Sequence, residues 1–206
     1  MNTRKGKFIV FEGIDGSGKS TQVRRLLSHL KEKGISVTET REPQNDRPVG
    51  ALLRSALGGK TPLNEGSIAL LFASDRLDHI SAMLPELENG TSIVCDRYYF
   101  SSFAYNDTAL DPEWIISVNA EAMRLLRPDL VIFLDVPSEV SIERLSKRAG
   151  EKEIFETPER QERVRRNYLG LFERFKDEEN VVIIDGTLDS PKVTERVIEA
   201  VDKLFE

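Results

Sequence analysis

Eight consecutive residues, Gly13-Ile14-Asp15-Gly16-Ser17-Gly18-Lys19-Ser20, constrain this 206-residue chain more than any other stretch. Glycines, a lysine and a hydroxyl at this spacing make a loop whose backbone N–H groups turn inward around phosphate oxygens. Such a loop needs a buried strand before it and a helix after it, because the helix N-terminus supplies part of the positive field. Both are present: Phe8–Phe11 is a short apolar run, and Lys19–Lys33 carries apolar residues at helical period. In this setting Lys19 bridges the β- and γ-phosphates of a nucleotide while the Ser20 hydroxyl ligates Mg²⁺. Gly13, Ile14, Asp15, Gly16, Ser17, Gly18 and Thr21 complete the expected nucleotide contacts.

Three further apolar runs end at an acidic residue or a polar turn: Ser92–Cys95, Leu130–Leu134 and Val181–Ile184. They read as buried parallel strands. Ser36–Thr40 alternates and is the weakest of the five. Between the strands, helical patterns cover about Val49–Leu57, Asn64–Glu88, Pro112–Leu126, Ser138–Arg148, Pro158–Phe175 and Ser190–Phe205. Strands that alternate with helices in this way predict an α/β fold, a P-loop NTPase three-layer sandwich with a five-stranded parallel sheet flanked by helices. No repeat, low-complexity tract or linker divides the chain, so one domain over residues 1–206 is expected.

Composition removes several function classes. With 29 Lys and Arg against 35 Asp and Glu, the net charge of −6 argues against a partner such as nucleic acid, whose binding needs a cationic surplus. The apolar run Phe8–Phe11 is too short for a signal-peptide core or a membrane span. A lone cysteine, Cys95, cannot form an intramolecular disulfide and fits a reducing cytoplasm. His29 and His79 have no metal-ligand spacing.

Ser92–Cys95 delivers Asp96 to the carboxyl edge of the sheet, where open α/β folds bind ligands, and Asp96 there holds Mg²⁺ through a water. Arg97 follows directly, and a guanidinium at that edge suits a second phosphate facing the nucleotide. An Asn-Lys-x-Asp guanine reader and an Asp-x-x-Gly turn, marks of a GTP-binding switch, do not occur. An acceptor with its own phosphate is the better expectation.

The motifs Phe11–Gln22, Thr40-Arg41-Glu42-Pro43, Leu71–Arg76 and the Asp96-Arg97-Tyr98 block running on through Ser101, Ser102, Ala104 and Tyr105 resemble the thymidylate kinases over nearly the whole chain. The Asp-Gly-Phe-Pro-Arg run of adenylate kinases is absent. The resemblance implies transfer of the γ-phosphoryl group of ATP to dTMP, with Mg²⁺ as cofactor and a homodimer packed through helices. It implies that Phe72 stacks on thymine, that Arg76 hydrogen-bonds the base, that Ser102 faces the base and that Ser101 is among the substrate-binding residues. Tyr105 would lie against the deoxyribose. Asp15 would contact the sugar 3′-hydroxyl and order the acceptor, Arg54 and Arg97 would hold its phosphate, and Glu42 would face the same pocket. Residues 44–47 depart from the family's common Gly-Gly-Thr run. A kinase for another pyrimidine monophosphate (dUMP, UMP or CMP) and a catalytically idle nucleotide-dependent binding module are the alternatives.

Arg144, Lys147, Arg148 and Lys152 form a basic set around Ala149-Gly150, expected to be a lid at about residues 145–156. Some thymidylate kinases carry an arginine in the phosphate loop and lack a basic lid; with Gly16 in the loop and basic residues in the lid, this chain resembles the other kind. Arg148 is then the expected catalytic cation, and Arg144 is expected near adenine.

Overall fold

The computed structural model describes residues 5–106, 110–147 and 157–206. Five strands, β1 (Phe8–Glu12), β2 (Val37–Arg41), β3 (Ser92–Asp96), β4 (Leu130–Asp135) and β5 (Val181–Asp185), lie in the order β2-β3-β1-β4-β5. Every pairing is parallel, with Phe8 beside Ile93 and Ile9 beside Leu130. Among the described residues eight helices connect and cover them: α1 (Lys19–Glu32), α2 (Pro48–Leu57), α3 (Glu65–Glu88), α4 (Tyr99–Tyr105), α5 (Pro112–Leu125), α6 (Ser138–Ser146), α7 (Pro158–Arg174) and α8 (Ser190–Asp202).

The strand period of two sorts the core into two layers. Phe8 and Val10 of β1, with Ile93, Cys95, Val131 and Phe133, face α3, α4, α5 and α7. Ile9 and Phe11, with Val94, Ile132 and Leu134, face Val23, Leu26 and Leu30 of α1 and Val193, Val197 and Val201 of α8. A central strand that is apolar on both faces must be covered on both, which is why the runs at β1, β3 and β4 are continuous. The expected three-layer sandwich is the observed fold.

Two differences have physical causes. Val181–Ile184 reads as a buried strand, but β5 is at the edge with one neighbour, and Ile183 is 50% exposed. The short helix α4 falls inside the Asp96–Tyr105 block, and a seven-residue apolar stretch is too short to show a helical period. Its stability comes from packing: Tyr98, Tyr99, Phe100 and Phe103 are buried and stack edge-on or tilted against one another and against Phe172 and Phe175 of the α7 end.

The strand order places the topological switch at β1, between β3 on one side and β4 on the other. The carboxyl ends of β1 and β3 therefore open onto a crevice, and the phosphate loop and the Asp96-Arg97 pair both issue there.

Candidate active site

Between β1 and α1 the loop turns through left-handed backbone at Gly16, φ +79°. A side chain there would also collide with α6, since a Cβ would lie 2.6 Å from the Ser141 carbonyl oxygen and 3.1 Å from Leu145 Cγ. Ser141 Oγ in turn donates to the Asp15 carbonyl at 2.5 Å, so α6 is bolted to the loop. The close contact and the left-handed backbone together leave glycine as the residue that fits this position.

Lys19 is buried, and its ammonium donates to the carbonyls of Gly13 at 2.9 Å and Ile14 at 3.1 Å. Burial and the nearby Arg97 charge lower its pKa to about 8, against the opposing pull of Asp96, Asp15 and Glu12. Ser20 Oγ lies 3.4 Å from Asp96 Oδ2, while Asp96 Oδ1 is buried without a hydrogen-bond partner. A hydroxyl beside a carboxylate with an unsatisfied oxygen is a hard-oxygen donor set, and it fits Mg²⁺.

Arg97 leaves β3 with φ +74°, a conformation that costs a non-glycine residue about 1–2 kcal/mol. Its own N–H holds the turn by donating to the Phe11 carbonyl at 2.9 Å. The guanidinium is gripped on both sides. Nη2 donates to Asp15 Oδ1 at 2.5 Å and to Tyr105 OH at 3.0 Å, and Tyr105 OH donates onward to Asp15 Oδ2 at 3.1 Å. Nη1 donates to Ser101 Oγ at 3.0 Å and, at 3.4 Å, to Tyr168 OH from α7. Burial disfavours the Asp15 anion, yet the charges of Arg97 and Lys19 and the bonds from Tyr105 and Arg97 prevail and bring its pKa down to about 2.

Arg76 on α3 is fully buried. Its Nε donates to Glu42 Oε2 at 2.8 Å, Nη2 lies 2.8 Å from the same oxygen, Nη2 also donates to Ser102 Oγ at 3.1 Å, and Nη1 donates to Asn119 Oδ1 of α5. Glu42 Oε1 faces His79 Nδ1 at 3.1 Å, and the other ring nitrogen of His79 lies 2.7 Å from Thr40 Oγ1. Phe72, one turn before Arg76 on the same helix, is half-buried and joins neither core cluster. Its place four residues before Arg76 puts both on one face of α3.

The variant residues 44–47 close this pocket. Gln44 N–H donates to Asp75 Oδ2 at 3.0 Å, its side chain reaches Thr40 Oγ1 and the Arg41 carbonyl, and Arg47 pairs with Asp78 at 2.6 Å. Arg54 on α2 is exposed and donates to Asn45 Oδ1 at 3.1 and 2.7 Å. On the other side of the loop, Arg144 ties the Ser17 carbonyl, at 3.3 Å, to the Gly186 carbonyl, at 2.8 Å, beside the turn after β5. Arg148 and Lys152 lie outside the described residues, as does the segment 148–156 of the expected lid.

Sequence reasoning thus brings Asp15, Lys19, Ser20, Asp96, Arg97 and Tyr105 to one edge and Glu42, Phe72, Arg76 and Ser102 to the adjoining pocket. Ser101 adjoins Arg97. Its hydroxyl is engaged by Glu12, Tyr168 and Arg97, and Glu12 itself, the acid that ends β1, escaped notice as a site residue. Glu12 is entirely buried; desolvation raises its pKa, opposed by the Arg97 charge and by bonds from Ser101, Tyr168 and Tyr98. The signal was present in the sequence as an acid closing a run of four apolar residues.

Phosphate loop, carboxylate and the added arginine at the switch point of a parallel sheet define a P-loop kinase whose acceptor is itself a phosphate ester. The family model for thymidylate kinase matches residues 11–197. A protein described as "Probable thymidylate kinase" from Thermococcus onnurineus is 44% identical over 180 residues, spanning 82% of this chain and 86% of its own. The "Thymidylate kinase" of Caldicellulosiruptor saccharolyticus is 39% identical over 206 residues, 98% of each chain. The "Probable thymidylate kinase" of Methanococcus aeolicus is 42% identical over 203 residues, 97% of this chain and 96% of its own. The chain belongs to the thymidylate kinase family, phosphotransferases that act on dTMP with ATP and Mg²⁺.

Proposed function

We propose that this kinase passes the γ-phosphoryl group of ATP directly to dTMP at the sheet edge between Lys19 and Arg97, giving dTDP and ADP for dTTP synthesis. The observation that carries the reading is Arg97, a second cation besides Lys19, its guanidinium fixed by Asp15 and Tyr105 directly beside the phosphate loop. An acceptor phosphate oxygen attacks the γ-phosphorus, the bond to the β–γ bridging oxygen breaks, and ADP leaves with that electron pair. Phosphoryl transfer of this kind is positioning plus charge neutralisation. Lys19 and the loop N–H groups take the donor phosphates, Arg97 with Arg54 takes the acceptor phosphate, and Asp15 orders the sugar 3′-hydroxyl. Mg²⁺, when bound at Ser20 and Asp96, neutralises charge on the donor oxygens.

Phe72 and Arg76 take the thymine, with Ser102 beside Arg76, and Tyr105 crowds the place of a 2′-hydroxyl. Arg144 lies against adenine at the Gly186 turn. Arg148, from the lid at 145–156, closes on the transferring group as an arginine finger in cis. Gly16 supports that division of labour, because the approach of Ser141 leaves no room in the loop for an arginine. The chain acts as one domain over residues 1–206, in the cytoplasm, as a homodimer packed through helices; Leu52 on α2 and Leu70 on α3, 40% and 50% exposed, offer apolar surface for that contact. Among the described residues no helix is long and apolar enough to cross a membrane.

ADP release measured over dTMP, dUMP, UMP and CMP tests the acceptor. The expected order is dTMP above dUMP, with a missing methyl worth about tenfold in kcat/KM, and UMP much lower. Equal values for dTMP and UMP refute the sugar pocket, and no turnover with any acceptor refutes a kinase in favour of an idle binding module. Arg148→Ala is expected to lower kcat by about 10²-fold with little change in dTMP affinity; an unchanged kcat removes Arg148 from the mechanism.

A further inference from the structure

Beneath Arg97 three oxygens form a closed triangle. Ser101 Oγ is 2.7 Å from Glu12 Oε2, Tyr168 OH is 2.8 Å from the same oxygen, and the two hydroxyls are 2.8 Å from each other. Glu12 Oε1 is occupied elsewhere, accepting from the backbone N–H of Tyr98 at 2.9 Å and of Ser101 at 3.2 Å. Glu12 and Tyr168 have no exposed surface, and Ser101, in the first turn of the short helix α4, is half-buried.

Proton counting gives the triangle a direction. An ionised carboxylate brings no proton, a protonated one brings one, and each hydroxyl brings one. Two protons, or three when burial keeps Glu12 protonated, are thus shared among three oxygen–oxygen edges, and the edges take them all with no hydroxyl proton pointing outward. Both hydroxyls are left presenting lone pairs to Arg97 Nη1, at 3.0 and 3.4 Å. We propose that Glu12 is a positioning residue for the acceptor phosphate: by absorbing the protons of Ser101 and Tyr168 it turns both hydroxyls into acceptors and so fixes Arg97 for its ligand. The proposal rests on the reading of Arg97 as the grip on the acceptor. Tyr168 brings α7 into the same cradle, so the helix that follows the segment 148–156 is joined to the phosphate grip by one hydroxyl.

Glu12→Gln is the informative change because it preserves shape and reverses the count. The two backbone N–H groups hold the amide oxygen at the Oε1 position, and the amide NH₂ must then occupy the Oε2 position. Four protons now face three edges, so at least one hydroxyl proton is driven outward against the Arg97 guanidinium. The expected result is a KM for dTMP raised about tenfold or more, with the KM for ATP unchanged and kcat changed less than threefold, as for loss of a hydrogen bond to a charged group. Tyr168→Phe keeps the ring packed against Phe133 and Phe172 and removes one acceptor. It is expected to raise the KM for dTMP about threefold with the same ATP constant, and it decides the matter if Glu12→Gln does not fold.

Both changes are then repeated in an Arg97→Ala background, where the cradle has nothing to hold. Their effects on kcat/KM for dTMP are expected to vanish there. Penalties that persist at full size without Arg97, or a folded Glu12→Gln and Tyr168→Phe that leave the dTMP constant untouched, overturn the positioning role. Arg97→Ala alone, if it leaves the KM for dTMP unchanged, defeats instead the prior reading of Arg97, so the two failures are told apart.

Discussion

Nucleotide binding by this kinase should depend on pH through a lysine that titrates well below the usual range. Lys19 is buried against two carbonyls with Arg97 nearby, and its pKa falls to about 8. The nucleotide phosphates favour the ammonium form, so the complex keeps Lys19 protonated at pH values where the free protein has begun to lose that proton. Affinity then follows the protonated fraction of the free protein, which is about 0.9 at pH 7 and about 0.1 at pH 9 for such a group. The sign is fixed: Kd for MgATP rises with pH, by about tenfold across this interval. A lysine at its ordinary pKa would stay almost fully charged to pH 9 and give a nearly flat profile. Other buried groups at the site do not interfere, since burial moves the Tyr105 hydroxyl and the Cys95 thiol upward, away from this window. Titration calorimetry at pH 7, 8 and 9 in buffers of different ionisation enthalpy measures both the affinity and the proton uptake, expected near half a proton at pH 8. Lys19→Arg supplies the control, because a guanidinium keeps its charge throughout. A Kd for the unaltered protein that is constant from pH 7 to 9, with no proton taken up, refutes the reasoning.

Three other substitutions probe the site. Lys19→Ala should leave the fold intact by circular dichroism and lower kcat by about 10²-fold or more, comparable to removing one preorganised charge donor. Glu42→Ala should destabilise the protein by about 3–5 kcal/mol in denaturant titration, because it strands the buried Arg76 guanidinium beside His79; a loss below about 1 kcal/mol refutes the buried ion pair. Gly50→Ala should raise the KM for dTMP and lower stability, since a Cβ would fall 1.6 Å from the Gln44 carbonyl oxygen and 2.9 Å from Asp75 Oδ1, and α2 can relieve that only by moving off the acceptor pocket. Unchanged kinetics and melting in that variant would show that the contact relaxes freely.

Much of this architecture was legible because the central strands obey a strict rule. β1, β3 and β4 are covered on both faces and so are apolar without interruption, and the phosphate loop names the strand and helix on either side of it. Legibility falls where tertiary packing overrides local pattern. β5 is as apolar as β1 but lies at an edge, and strand order is not written into any one strand. α4 is too short for periodicity, and its helical form follows from aromatic packing against α7. Within the site, residues whose chemistry is carried by type and spacing, such as Lys19, Asp96 and Arg97, could be read directly. Glu12 and Asn119 could not, because their roles come from what faces them: Tyr168 is far along the chain from Glu12, and Asn119 accepts from Arg76 across helices α3 and α5.

The burial of Arg76 has a consequence for how such an enzyme can change over generations. Its charge is matched by Glu42, its fork is filled by Asn119 and Ser102, and Tyr98 lies under it with the guanidinium carbon 5.4 Å from the ring centre. A buried cation secured in this way cannot drift alone, because any single replacement in the cage leaves a desolvated charge or an unpaired acceptor inside the protein. If Arg76 reads the acceptor base as proposed, loss of acceptor recognition and loss of folded protein coincide, and selection removes both at once. Lineages that acquire a taste for another monophosphate must, on the proposed reading of Phe72 as the wall against the base, travel by its half-buried ring, while the cage of Glu42, Asn119 and Ser102 is inherited intact.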